Sequence, residues 1–512
     1  MAYDALLRLL ALEVHVAADQ NAIKYRYQLY RRLHSETNAI YAEARAAADE
    51  IGVRPEWRGK VGLTGAISSC HAILRRDIEE AMARAAYEVV DNKYLVDELR
   101  EVVKDVYGDD YDTAPVNTCE AALWLSFDSL ATPPAMGRGD NYRTRYIAPY
   151  ERHVHHQAGY GRPFPPKYKD IVADRGVTAG ELGMMGKRLE NLDVVLVPLE
   201  GARYTNHGIK YYPAPLLADV DARGSLDRIA QTAERHVETL AAFASLAYDT
   251  PGYGYGEHED GVPVLSRGIG RLARRHNVPY IVDNAIGVPF LGVDPRAIGA
   301  DVMVYSMDKV AGAPTGGLII GREDVMVSLR RALGIHGERG GNPLSYGKAA
   351  YVTFDAGKEY IVGLLAVLRA LRDRPEVVRA PLRRTAAIVR EEFGRLAPEL
   401  RDGIRITESL NNASVEVNYQ DTWRDGRMGI PIFTIEDMYA GTQLFQAGMA
   451  QMGIIPTVAY DGNILISVGL GTTDENGDLL EDRMRAVVRS LVSLIEIVCR
   501  HAGVAGYAQA AV

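Results

Sequence analysis

Two rhythms of hydrophobic and polar positions run along this chain. Residues 3–51 are rich in Ala, Leu, Glu, Arg and Tyr and hold neither glycine nor proline, a composition that favours helices with an apolar stripe. A helical N-terminal extension is therefore predicted over residues 1–65. From about Gly65 to Gly347, apolar runs of strand length alternate with helical patterns, the signature of strand-helix-strand units around a mostly parallel sheet. This predicts an α/β large domain over 66–347, with buried strands at 192–199, 239–247, 279–282, 301–306 and 317–320. After about Ala350 a long helical stretch leads to strand patterns at 404–407, 414–418 and 463–467, so a smaller α+β domain is predicted over 348–512. No internal repeat and no low-complexity segment interrupts this order.

In open α/β sheets, ligands bind beyond the carboxyl ends of the strands. That rule selects Asp249 and Thr250, then Asp283, then Ser306-Met307-Asp308-Lys309. Composition narrows the partners. The 512 residues are 47% hydrophobic and 24% charged, as in an ordinary globular protein. The net charge of −9 repels phosphate backbones unless basic residues cluster, so nucleic acid is not the expected partner. The start carries Asp4, Arg8 and Glu13 among apolar residues instead of a basic-then-apolar leader, and no apolar run reaches the length of a membrane span. A cytoplasmic protein is expected. Three cysteines, Cys70, Cys119 and Cys499, are too few for a disulfide framework or a thiolate metal site.

The candidate chemistry lies at the strand ends. Tyr280-Ile281-Val282-Asp283-Asn284-Ala285 reads as a buried strand that delivers a carboxylate at its end. Enzymes using pyridoxal 5′-phosphate (PLP) need an anion beside the pyridine nitrogen, because a protonated ring accepts electrons from the substrate. The next strand pattern ends just before Lys309, 26 residues after Asp283, and a glycine-rich Gly312-Ala313-Pro314-Thr315-Gly316-Gly317 follows. A lysine in such surroundings can lose its proton and act as a nucleophile. Ser306 is a candidate donor to the cofactor phosphate, and Thr250 joins the cofactor-binding set. Upstream, Ala114-Pro115-Val116-Asn117-Thr118-Cys119 passes from turn-forming residues into a helical run. A helix N-terminus attracts anions, which makes Thr118 and Cys119 the candidate phosphate site. The run Glu151-Arg152-His153-Val154-His155-His156 offers an imidazole to stack on the ring. In extended chain His153 and His155 share a face, a spacing that also suits a metal, but no carboxylate or cysteine motif nearby completes a ligand set, and no metal is expected. Each residue alone has a plain reading, since strand-end aspartates cap turns and glycine-flanked lysines are usually solvated. Their order along the chain is harder to explain by capping.

The segment Ser306-Met307-Asp308-Lys309-Val310-Ala311-Gly312-Ala313-Pro314-Thr315-Gly316-Gly317-Leu318-Ile319-Ile320-Gly321 resembles fold-type I PLP enzymes, most of all bacterial selenocysteine synthase and its relatives, and the similarity spans roughly 66–331. The resemblance implies that Lys309 forms the Schiff base, Asp283 pairs with the pyridinium, Thr118-Cys119 holds the phosphate, and one of His153, His155 or His156 stacks on the ring as in the class V aminotransferase and cysteine desulfurase group, with His155 preferred. It also implies at least a homodimer. Relatives in that group carry an arginine in a C-terminal strand that grips the substrate carboxylate, where this chain has Leu465, so Arg339 in Gly337-Glu338-Arg339-Gly340-Gly341 becomes the candidate substrate-binding residue. Selenocysteine synthase acts on an aminoacyl-tRNA; Lys24, Arg26, Arg31 and Arg32 lie among tyrosines near the N-terminus, but the acidic total argues against RNA. The expected function is a PLP enzyme acting on a small amino acid or amino-acid conjugate, with lyase or side-chain replacement chemistry. The alternatives are an aminotransferase or decarboxylase (including oxidative), an aminoacyl-tRNA-modifying selenium-transferase-like enzyme, and a non-catalytic PLP-fold binding protein.

Overall fold

The computed structural model describes residues 33–65, 72–131, 145–150, 210–215, 222–235, 237, 240–247, 249, 256–310, 312–333, 338–339, 342–343, 352–419, 421–422, 429–431, 442–456, 459–460, 463–504 and 506–507. Its centre is a seven-stranded sheet. In chain order the strands are β1 (Tyr111–Val116), β2 (Arg145–Tyr150), β3 (Lys210–Pro215), β4 (Leu240–Leu246), β5 (Tyr280–Asp283), β6 (Val302–Ser306) and β7 (Gly317–Arg322). They lie side by side as β3-β2-β4-β5-β6-β7-β1. Among neighbouring strands, only β7 runs antiparallel to the pair that flanks it.

Strands β4, β5 and β6 are apolar almost throughout because both faces of the sheet are covered. The strand repeat of two divides their side chains cleanly. Tyr280, Val282, Met303, Tyr305, Leu318 and Ile320 pack into one core, whereas Ile281, Val302, Val304 and Ile319 face the other. On the first side lie α1 (Arg76–Ala86), α2 (Asn92–Tyr107) and α3 (Lys358–Asp373); on the second lie α4 (Cys119–Leu130) and α5 (Glu323–Leu333). Local signals set the ends of α2. The Asp91 side chain accepts from Lys93 N, and the helix stops at Gly108, the residue type that best tolerates a positive φ.

A second, four-stranded antiparallel sheet joins β8 (Arg405–Ser409), β9 (Ser414–Asn418), β10 (Ala459–Tyr460) and β11 (Asn463–Ser467) in the order β8-β9-β11-β10. Packing departs from chain order here. Residues 33–63 share one buried core with residues from 382–504, through Ile40, Ala44, Val61, Val417, Ile466 and Leu494. Helix α3, although it lies beyond residue 347, packs against α1 and α2 in the large core. The strands expected at 239–247, 279–282, 301–306, 317–320, 404–407, 414–418 and 463–467 all form within a residue or two of those bounds, while 192–199 lies outside the described residues. Ala114-Pro115-Val116 is not a turn. These residues finish β1, with Pro115 opposite Leu318, and an edge strand is where a sheet tolerates proline's missing N–H.

Candidate active site

Strand ends bring the candidate residues together. Asp283 is the last residue of β5, in register with Leu246 of β4 and Val304 of β6. It is 3% exposed, and its Oδ1 accepts from Ala285 N at 3.0 Å. Ser306 ends β6, and a single 3-10 turn, Met307–Lys309, carries the lysine. That turn is fastened at both ends. Met307 N donates to Gly316 O at 2.8 Å, Val310 N to Met307 O at 3.1 Å, and Arg75 N to Gly312 O at 3.2 Å.

The third element is the start of α4. Thr118 is its N-cap, and its Oγ1 accepts from Ala121 N at 3.0 Å. Asn117 anchors the approach: its backbone N donates to Phe354 O at 2.9 Å, and its Nδ2 donates to Thr353 O at 2.7 Å. The helix start lies hard against β7, because a Cβ on Gly317 would sit 2.3 Å from Thr118 O and 2.8 Å from Val116 Cγ2. Glycine is required at this close approach.

Electrostatics show the same convergence. Burial pushes the Cys119 thiol well above its usual range, the Asp283 carboxylate adds to that rise, Lys309 opposes it, and Asp308 contributes further. The thiol thus lies in the field of the amine and of three carboxylates, Asp283, Glu120 and Asp308. A thiol held neutral adds no negative charge at a helix start that offers positive dipole to an anion.

Partners from distant parts of the chain complete the surroundings of these strand ends. Asp308 is buried, and Ser306 Oγ donates to its Oδ1, so the serine hydroxyl serves its own loop in this structure. Tyr360 donates its hydroxyl to Gly317 O at 2.9 Å, and burial, followed by the nearby Asp308, pushes its phenol well above the usual range. Asp249, three residues past β4, accepts from Ser409 Oγ at 2.7 Å, and burial raises its carboxyl. Ser409 comes from the small sheet, more than a hundred positions away. Only the folded chain reveals such neighbours.

His153, His155 and His156 lie outside the described residues, as does Thr250. Arg339 lies on a two-residue antiparallel ladder, opposite Asn342. Leu465 occupies β11 opposite Glu416 and is buried. Among the described residues, no group of three or more His, Cys, Asp or Glu is arranged to hold a metal ion, and no helix is long and apolar enough to cross a membrane.

The donor set fits PLP: an amine for the aldehyde, a strand-end carboxylate for the ring nitrogen, and a capped helix start for the phosphate. Comparison with known proteins agrees. Residues 252–374 match the family described as Aminotransferase class-V, a span that includes Asp283 and Lys309. The chain is 32% identical over 215 residues to a 5′-C-glycyluridine monooxygenase-decarboxylase of Streptomyces sp, covering 41% of this chain and 49% of that protein. It is 31% identical over 178 residues to the L-seryl-tRNA(Sec) selenium transferase of Desulfovibrio desulfuricans, covering 32% of this chain and 34% of that protein. The matches thus span half or less of these curated relatives. A crystal structure of pyridoxamine-pyruvate aminotransferase from Mesorhizobium loti aligns with a TM-score of 0.46 at 14% identity, covering 86% of this chain and 92% of that one. Sheet order, site chemistry and the similarity of residues 252–374 to the class-V family together support a PLP-dependent enzyme with the fold-type I architecture.

Proposed function

We propose that this enzyme acts on a small free amino acid or an amino-acid conjugate and breaks a bond at or next to Cα, by lyase or side-chain replacement chemistry. The observation that carries the reading is the placement of Asp283 at the end of β5 and Lys309 in the turn that follows the neighbouring β6, with the start of α4 packed against β7 at Gly317. When bound, PLP supplies an electron sink for a substrate carbon attached through its nitrogen. Asp283 holds a proton at the ring nitrogen. Lys309 would hold the cofactor at its aldehyde and would carry a proton to or from the substrate carbon. The Thr118 hydroxyl and the first amides of α4 hold the phosphate, with Thr250 assisting and Ser306 as a further donor once it turns from Asp308. His155 stacks on the ring, and Arg339 receives the substrate carboxylate. The working unit is a cytoplasmic homodimer or higher homo-oligomer.

The test is a panel of free amino acids and amino-acid conjugates added to the PLP-loaded enzyme, read by cofactor absorbance and product analysis. The reading expects a spectral response to a subset, with loss or exchange of a side-chain group. A loaded enzyme that responds to no amine in the panel would overturn it.

A second reading, decarboxylation coupled to oxygen, is favoured by the 215-residue match to a monooxygenase-decarboxylase. Its mark would be carbon dioxide release together with oxygen uptake. Release that persists unchanged without oxygen would refute the oxidative form.

A further inference from the structure

The turn joining β8 to β9 in the small sheet reaches into the strand-end loops of the large sheet, and Asn411 is its tip. Every hydrogen-bonding position of the Asn411 side chain is used. Nδ2 donates to Ala247 O at 2.6 Å and to Asn284 Oδ1 at 2.9 Å. Oδ1 accepts from Asn284 Nδ2 at 3.1 Å and from Val293 N at 3.0 Å. Its backbone joins in, with the carbonyl accepting from Val288 N at 2.6 Å and the N–H donating to Asp249 Oδ2 at 3.4 Å. One residue therefore ties the loops after β4 and β5 to the small sheet.

The surroundings are shaped for this side chain. A Cβ on Gly292 would lie 2.3 Å from Asn411 Oδ1, and one on Gly287 would lie 2.2 Å from the Asn284 side chain. The loop following β5 thus wraps the two paired amides with no room to spare. Asn411 is 1% exposed and Asn284 2%, so water offers no replacement for a lost partner, and a buried amide left unmatched is costly. Asn284 directly follows Asp283, and its own backbone N donates to Val304 O at 2.8 Å. Moving the Asn284 side chain therefore moves the end of β5.

We infer that Asn411 is a positioning residue: it fixes the β5 end that presents Asp283 and ties that carboxylate's placement to the small sheet. This rests on the reading of Asp283 as the partner of the ring nitrogen. Placement matters because a carboxylate that drifts from the ring nitrogen no longer holds its proton there.

The test compares Asn411→Ala with wild type, Asp283→Asn and, as a control in the same turn, Leu410→Ala, a change at a partly exposed side chain. Amide hydrogen exchange over residues 284–293 is measured on protein without added cofactor. The pH midpoint of the bound cofactor's visible absorbance is measured on loaded protein. Asn411→Ala is expected to exchange ~10-fold faster at Val293, whose N–H loses its Asn411 Oδ1 acceptor. Its midpoint should move in the same direction as that of Asp283→Asn but less far, while Leu410→Ala matches wild type in both. Wild-type exchange overturns the inference, and so does faster exchange with an unmoved midpoint, because a merely structural role would give that pattern. If Asn411→Ala fails to fold, Asn284→Ala, which removes the other half of the amide pair, carries the same expectation. A wild-type protein that binds no PLP would refute the functional reading, while the exchange measurement still decides whether Asn411 holds the loop.

Discussion

Gly317→Ala makes the tightest demand on the site's geometry. Gly317 is paired on both sides, with Ser306 of β6 and Val116 of β1, so its backbone cannot slide without breaking a ladder. The added methyl would meet Thr118 O at 2.3 Å, whereas real Cβ contacts essentially never fall below 3.0 Å. The start of α4 must retreat by at least the difference, 3.0 − 2.3 = 0.7 Å. Overpacking of this kind costs ~1–3 kcal/mol. The retreat also displaces the helix start proposed to hold the phosphate, and misplacement on the order of 1 Å can cost ~100-fold in rate. Equilibrium dialysis with PLP, alongside urea unfolding followed by circular dichroism, separates the two effects. Expected are PLP binding weakened ~10-fold or more, a native far-ultraviolet spectrum, and a midpoint shifted to lower urea. Gly357→Ala is the control, because its Cβ would meet only Glu359 Oε2, at 3.5 Å, and should leave stability within ~0.5 kcal/mol. Wild-type PLP affinity in Gly317→Ala would refute the reasoning, since the α4 start would then not be part of the cofactor site.

Two further predictions concern the frame around the site. His501, on the last turn of α6 (Glu481–Ala502), bonds Glu36 and, at 2.8 Å, Glu43, on the helix Thr37–Ile51 and its approach. Burial lowers its pKa, but the bonds from Glu36 and Glu43 outweigh this and raise it above 6.5. A raised histidine pKa stabilises fully below the unfolded value and stops doing so as pH rises through the folded one. The difference in unfolding midpoint between wild type and His501→Gln should therefore be largest at ~pH 6 and shrink by ~pH 8.5; a difference that grows with pH would contradict the assignment. Asp112 is fully buried, with Arg100 at 2.8 Å and Arg330 also on its carboxylate, and burial, then the Arg100 charge, brings Arg330 down to about 10. Asp112→Ala should cost ~3–5 kcal/mol by urea unfolding, because it removes the buried carboxylate that both cations share; a loss below ~1 kcal/mol would show that Asp97, Glu323 and water compensate.

Legibility in the sequence tracked how local each signal is. Asp283 and Lys309 were legible because a buried strand followed at once by a charged residue is a pattern within ten positions. The Cys119 helix start was legible for the same reason, although the preceding Ala114-Pro115-Val116 concealed a strand, since proline in a strand depends on whether that strand lies at an edge. The clasp made by Asn411 was not legible: an asparagine in a hairpin turn looks like ordinary turn chemistry. Only the long-range approach of β8–β9 to the β5 loop gives it partners at positions 247, 284 and 293. Chain order alone puts helix α3 in the small domain, whereas its apolar face pairs with α1 and α2. Leu465 was legible as a strand residue but not for its company, because its position opposite Glu416 depends on sheet register.

The central claim is that Lys309 holds PLP. It is tested most directly by incubating the protein with PLP, reducing with borohydride, digesting, and locating the pyridoxyl mass by peptide sequencing, for wild type and Lys309→Ala. The account predicts a single modified peptide containing Lys309 and none in the variant, together with loss of the visible cofactor band. A label on another lysine that persists in Lys309→Ala, or a wild-type protein that takes up no label at all, would contradict it.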